Sequence, residues 1–466
     1  MTDIVNTAIM KKIRSMIYGL DAFVQHGNGR MAPMINLDNA ATTPPFKAVS
    51  DEIMKQLLFY GSVGRGTGQK SRHTSVVYNE GRDVVLDFVG ARDDKYTVFY
   101  AANTTDGINK LASALTNSVD KHGCPIDEDI LVVSTRMEHH ANDLPWRERA
   151  HTVYAEVDEA GRLILDDFER ILKQDKYKYM TKYVTVTAAS NVTGYVNDVH
   201  EIARIAHKYN AKIIVDGAQI VSHRKFSMLG RKGKDEDIDF FVFSAHKMYS
   251  PFGGGAVVGL KSVLNERMPQ YYGGGMVATV NDDSVIYAGE PDLYEAGSPN
   301  VPGVVGMIKA IEILKGIGFD YIANYEQKLL RKVLSELSKI NNVILYGDCE
   351  KIEDRVGVFV FNINGRKPED VANELALRAG IAVRHAAFCA HPYVRRLERL
   401  TKNRFGSFCD PPQGMVRCSF GIYTTEEEVD ILIQTVKEIA EESFITNGVR
   451  VTVSSKKVIK QPNDRG

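Results

Sequence analysis

Between Leu37 and about Leu260, short β-branched and aromatic runs alternate with segments whose apolar residues recur at helical spacing. Strands are predicted over Thr97–Tyr100, Ile130–Ser134, Tyr183–Thr187, Lys212–Asp216, Phe240–Ser244 and Ala256–Leu260, because such residues suit a pleated, buried surface. A helix is predicted between Thr187 and Lys212. Asp198 is its N-cap, Glu201 completes a capping box, and Ile202, Ile205, Ala206 and Tyr209 fall on one face. Strand, helix, strand at this spacing is a βαβ unit, so the sheet is mostly parallel and covered on both faces.

Past about Val304 the pattern changes. Amphipathic helices are predicted over roughly Val304–Leu314 and Tyr321–Lys339, strands over Val343–Leu345 and Val356–Asn362, and a helix near Pro368–Ala379. This is the pattern of a smaller α+β unit. Residues 1–36 read as a helical lead-in, with a loop at Gly27-Asn28-Gly29, that packs with the small unit. Ser454–Gly466 reads as a loose polar tail. The expected division is therefore an α/β chain with a large domain over 37–303, a small one over 304–453, and a tail over 454–466.

Composition narrows the partners. The 466 residues are 44% hydrophobic, enough for a large core, and 58 basic against 59 acidic residues leave a net charge of −1. That balance argues against nucleic acid or an anionic membrane as a bulk partner. No apolar run reaches membrane-spanning length. The start, Met1–Leu20, carries Lys11, Lys12 and Arg14 without the apolar stretch of a secretory signal, so a cytoplasmic protein is expected. The five cysteines (Cys124, Cys349, Cys389, Cys409 and Cys418) form no CxxC pair, which argues against both a disulfide framework and a bound metal.

Candidate chemistry gathers where strands end. Lys247 follows the apolar run Phe240–Ser244, and open α/β sheets bind ligands at the carboxyl ends of their strands. A lysine held there with a lowered pKa suits a Schiff base, and Ser244 and His246 beside it suit a phosphate. Asp216 closes the strand Lys212–Asp216, where a buried carboxylate calls for a cationic partner such as a pyridinium N–H. Gly217 and Ala218 would let such a ring approach, and Gln219 and Asn191 could bond its 3-oxygen. Asn103 to Asn109, with Thr104 and Thr105, opens a helix after the first strand, a place for an anion. His139 and His140 follow the second strand, where an imidazole could stack on a ring or carry a proton. Each cluster is ordinary by itself: a surface lysine, helix caps, loop histidines. Together they fit one phosphorylated aromatic aldehyde, pyridoxal 5′-phosphate (PLP).

The chain resembles the fold-type I PLP enzymes of the class V aminotransferase group, and is most similar there to SufS-type cysteine desulfurases and selenocysteine lyases. The resemblance rests on LDNAATT (37–43), NTTDGIN (103–109), MEHHANDLPW (137–146), SNVTG (190–194), VDGAQ (215–219), FSAHKMYSPFGGG (243–255), EAGSPN (295–300), GIAVR (380–384), FCAHP (388–392) and VRCSFGIYTTEEEVD (416–430). It implies that Lys247 carries the cofactor, His139 stacks on it and assists proton transfer, and Asp216 pairs with its ring nitrogen. Thr105, Ser244 and His246 would hold the phosphate, with Ser298 reaching the site of the other subunit of a homodimer. Arg417, helped by Arg384, would bind the substrate carboxylate, and Cys389 would accept sulfur for a partner protein.

The loop before the cysteine departs from the family's Arg-Thr-Gly-His-His-Cys. Here it reads Arg384-His385-Ala386-Ala387-Phe388-Cys389. The early stretch Gly64-Arg65-Gly66-Thr67-Gly68 also lacks the histidines that flank the arginine in the family. Phe388 is expected to make the cysteine's surroundings apolar, and Arg384 to favour its thiolate. Three readings stand at this point: a desulfurase or selenocysteine lyase using Cys389; another PLP reaction (C–S lyase, epimerase or aminotransferase) with Cys389 structural; and a PLP-binding scaffold or regulator.

Overall fold

The computed structural model describes residues 2–445, apart from 28, 65, 118, 121, 123, 125, 127, 128 and 406–413. The expected tail (454–466), Asn28, Arg65 and Cys409 lie outside the described residues.

Seven strands form the central sheet: β1 (Tyr96–Ala101), β2 (Ile130–Thr135), β3 (His151–Ala155), β4 (Thr181–Thr187), β5 (Ala211–Asp216), β6 (Phe240–Ser244) and β7 (Gly255–Leu260). Their order is β1-β7-β6-β5-β4-β2-β3. Neighbours from β6 to β3 run parallel, and β7 lies antiparallel to both β1 and β6. Six strands therefore end on one side. Both faces are buried, which is why the strands read as unbroken apolar runs. Phe241 and Phe243 enter one core, while Phe240 and Val242 enter the other.

The predicted strands and helices are present within a few residues of their expected limits, and the structure adds elements that were not expected. His151–Ala155 is an extra strand at the sheet edge, only partly buried. Two hairpins, Phe23–Gln25 with Met31–Pro33 and Val277–Val280 with Val285–Tyr287, were not expected either. The capping box is half formed. Asp198 accepts from the Glu201 N–H at 3.1 Å, but the Glu201 carboxylate turns to Arg204.

A second, antiparallel sheet orders Val343–Leu345, Val358–Ile363, Met415–Ser419 and Arg384–Ala386. Its core is shared with the helices Phe319–Leu337, Pro368–Ala379 and Glu426–Ile445. The helix Val301–Ile317 instead packs its apolar residues into the core of the large sheet. Ile13 and Ile17 of the lead-in join that core too, while Arg14 bonds the Tyr423 carbonyl and Glu428.

One segment, Leu37–Thr43, joins the two sheets. The Leu37 carbonyl accepts from the Ser419 N–H at 2.7 Å. At the other end, the Thr43 N–H donates to the His246 carbonyl at 3.0 Å.

Candidate active site

The segments leaving the shared side of the sheet carry the polar residues singled out in the sequence. After β6 the chain makes one helical turn, Ala245–Lys247, before returning as β7. That turn is clamped. The His246 carbonyl also accepts from the hydroxyls of Thr42 (3.1 Å) and Thr43 (3.2 Å), and the Tyr249 N–H donates to Thr43 Oγ1 (2.7 Å). Lys247 is half-buried. Burial pulls its amine down to about 8; Asp216 and Cys389 oppose the fall and Arg417 adds to it. An amine so shifted is neutral far more often than an exposed lysine, and the neutral form attacks a carbonyl carbon. Burial, then Lys247, holds His246 down at about 4.

Asp216 stands at the end of the adjacent strand β5, only 3% exposed. It accepts from the Ala218 N–H at 2.9 Å, and burial raises its pKa. A carboxylate so placed gains from a cationic partner. Gly217, expected to admit a ligand's ring, instead admits a protein ring. A Cβ there would lie 2.0 Å from Phe241 Cζ. Gln219 is buried, with Nε2 at 3.2 Å from His223 Nε2 and with Oε1 lacking any protein partner.

After β1, Asn103 caps the helix Thr104–Leu115 by accepting from the Asp106 N–H. The Thr104 N–H and hydroxyl both lie 2.6 Å from Ser244 Oγ. Thr104 and Ser244 are thus buried and bonded together, and Thr105 is the exposed member of the group. After β2, His139 Nδ1 accepts from the Ala141 N–H at 3.1 Å, which leaves the proton of the neutral ring on Nε2. Burial, then Lys247, lowers its pKa to about 3. Beneath it Glu138 accepts from the Thr135 hydroxyl (2.7 Å), the Asn142 amide (2.7 Å) and the Thr187 N–H (2.9 Å).

The small sheet contributes the opposite wall. Arg417 is 2% exposed; it donates to the Asn191 carbonyl (3.1 Å) and to Asp38 (3.0 Å), and its Nε is buried without a partner. Arg384 pairs with the same Asp38 at 3.0 Å, so its charge is held there and is not reserved for Cys389. Asn191 directs its amide N–H to the Phe388 carbonyl at 2.8 Å, tying down the cysteine loop rather than leaving that N–H for a ligand. Phe388 is buried beneath the Arg417 guanidinium, 4.9 Å from ring centre to Cζ. Its ring is buried, whereas Cys389 is exposed. Ala386, Phe388 and Cys389 all take positive φ (91°, 51° and 55°), a strained path for side chains of this kind. The Cys389 carbonyl accepts from the His140 N–H at 2.7 Å, and His140 stacks on His391 with ring centres 4.8 Å apart.

Lys247, Asp216, His139, Arg417 and Cys389 thus meet around one space. Ser298 does not join them within the chain; it is exposed, just before the helix Val301–Ile317. Asp38, Thr43, Glu138, His223, Glu326 and His391 were not foreseen as site residues. Asp38 and Thr43 lie inside the LDNAATT stretch and Glu138 beside His139, which is a usable signal; His223 and Glu326 carry none.

Residues 35–432 match the family Aminotransferase class-V. The chain is 33% identical over 418 residues to a cysteine desulfurase of Haloferax volcanii, covering 88% of this chain and 90% of that one. It is 34% identical over 423 residues to a probable cysteine desulfurase of Mycolicibacterium paratuberculosis, covering 89% of this chain. The chain spans only 56% of that relative's length, and 63% of a similar one from Mycobacterium leprae. The apo structure of a cysteine desulfurase from Thermococcus onnurineus NA1 superposes with a TM-score of 0.76 at 28% identity, over 88% of this chain and 95% of that one.

Proposed function

The chain belongs to the class-V aminotransferase family, and on that premise we propose that it is a PLP-dependent cysteine desulfurase. It takes sulfur, or selenium, from L-cysteine or a related amino acid, leaving alanine and a persulfide on Cys389.

The observation that carries this reading is the pairing of Lys247 and Asp216 at the ends of adjacent strands, a readily neutralised amine beside a buried carboxylate. The residues fit PLP. Lys247 suits its aldehyde carbon, Asp216 its ring N–H, and the Gln219 amide, once turned so that an N–H replaces the unpartnered Oε1, its 3-oxygen. The neutral ring of His139 suits stacking. Thr104, Thr105, Ser244 and His246 suit the phosphate, with Ser298 supplied by a second copy. PLP, when bound, supplies an electron sink for charge left at the substrate's Cα.

The chain's own residues do the rest. Lys247, as a neutral amine, removes the Cα proton, and His139 assists from Nε2. Arg417, with an unpartnered buried Nε, takes the substrate carboxylate; Arg384 and Asn191 flank it, and Asp38 orients both arginines. The Cys389 thiolate bonds to the substrate sulfur as the carbon–sulfur bond breaks; the pair of that bond stays with the carbon, which takes up a proton, and Lys247 returns a proton to Cα to complete alanine. Exposure of Cys389 leaves the persulfide open to an acceptor protein.

A homodimer is supported by apolar side chains left in solvent at Met54, Leu58, Phe59, Val280 and Ile286. No helix among the described residues is long and apolar enough to cross a membrane. A cytoplasmic setting is supported by the exposed Cys389, which must stay a reduced thiol to accept sulfur. Two sheets with separate cores support a large PLP-binding domain and a small C-terminal one, with the helix Val301–Ile317 packed in the large core rather than opening the small domain at 304.

The test is product analysis with L-cysteine and dithiothreitol. The wild type is expected to release alanine and sulfide, and Cys389→Ala to lose alanine formation by about 100-fold or more. Pyruvate in place of alanine, or an undiminished Cys389→Ala, would make the cysteine structural and the enzyme a different member of the family.

A further inference from the structure

Behind Gln219 runs a line of buried hydrogen bonds that the reaction above does not use. Gln219 Nε2 lies 3.2 Å from His223 Nε2, and His223 Nδ1 lies 2.6 Å from Glu326 Oε1. Glu326 Oε2 accepts from the Gly357 N–H at 3.3 Å. All three side chains are buried, at 3%, 5% and 3% exposure. Glu326 belongs to the helix Phe319–Leu337, whose Leu329, Leu330, Val333, Leu334 and Leu337 pack in the core of the small sheet. The line therefore links that helix to the end of β5.

Hydrogen-bond accounting decides what the line presents at its far end. An ionised carboxylate only accepts, so His223 Nδ1 carries a proton. If the ring carries no other proton, Nε2 accepts an amide N–H of Gln219, and the group left without a partner is Oε1. If Nε2 is protonated as well, it donates; the amide turns over, and the group left without a partner is the N–H. The two amide settings differ only by a half-turn of the side chain. An ionised 3-oxygen on the cofactor is an acceptor and requires a donor. With the carboxylate ionised, only the doubly protonated ring, in a short charge-assisted contact with it, gives the amide Oε1, the ring Nε2 and the 3-oxygen a partner each.

We propose that Glu326 and His223 form a charged relay that turns the Gln219 amide so that its N–H meets the cofactor's 3-oxygen. His223 and Glu326 are positioning residues, acting through Gln219 and touching no substrate. The relay rests on the PLP reading of the site. Arg224 and Tyr249 also interact electrostatically with Glu326.

The test uses the visible absorbance of the PLP-loaded chain, followed over pH in the wild type, Glu326→Gln, Gln219→Leu and the double variant. Loss of the relay charge removes the donor from the 3-oxygen, which then holds the proton shared with the Lys247 nitrogen more tightly. The midpoint of the band is expected to rise by about one to two pH units in each single variant. The double variant should move it no further than either single one, because both act through one bond. An unmoved midpoint in Glu326→Gln, or shifts that add, overturns the relay while leaving the cofactor site intact. Should Glu326→Gln not accumulate as folded protein, His223→Gln interrupts the same line and is read the same way. A wild type with no visible band overturns the cofactor reading, and the relay with it.

Discussion

Glu138 accepts three hydrogen bonds, each of which favours its charge, and its pKa still rises from 4.5 to about 8. Burial outweighs the donors, and the charge of Asp216 adds to the rise. In the unfolded chain the group loses its proton near 4.5; in the folded chain it keeps it until about 8. Stability from this residue is therefore greatest below the unfolded value and falls as pH rises toward the folded one. Glu138→Gln cannot ionise. Its amide would meet the Asn142 N–H group, which cannot turn away because Asn142 Oδ1 already accepts from Trp146 and Thr185. The variant should thus start less stable than the wild type and gain on it by several kcal/mol between about pH 5 and pH 8. Urea unfolding at a series of pH values checks this; a stability gap that does not change with pH would contradict it.

At the scale of elements, the strands were legible because both faces of the sheet are buried, so β-branched and aromatic residues run without interruption. The edge strand His151–Ala155 was missed for the converse reason: His151 is exposed and the three residues after it are only half-buried. The hairpins were missed because Phe23, Met31, Val280 and Ile286 are exposed, leaving no buried face to set a period. Gly217 shows a limit of another kind. Its type was noted in the sequence and its reason was not, since Phe241 approaches from β6, a neighbour that only the sheet order reveals. Gly217→Ala is expected to cost about 1–3 kcal/mol by overpacking. Phe241→Leu in the same chain should recover part of it, measured as thermal or urea midpoints. Equal losses with and without Phe241→Leu would mean that the backbone, not the ring, demands the glycine.

Across the whole molecule, the site is a meeting of three stretches of chain. The sheet supplies Lys247, Asp216, Gln219 and His139, and these were legible because each ends or follows an apolar strand. The small sheet supplies Arg417, and the loop beside it Cys389. The segment Leu37–Thr43 lies between, with Asp38 on the arginines and Thr43 on the lysine turn. The contacts of this last group were not legible. Thr43 reaches a residue 206 positions away, and His223 one 103 positions away. No local pattern encodes such pairings. In the proposed function, a bond between Lys247 and PLP is what makes these parts one site. The measurement that tests it most directly is borohydride reduction of the PLP-loaded chain, followed by mass mapping of its peptides. The pyridoxyl group is predicted on Lys247 in the wild type and nowhere in Lys247→Ala. A label on a different lysine, or one undiminished in Lys247→Ala, would contradict the account.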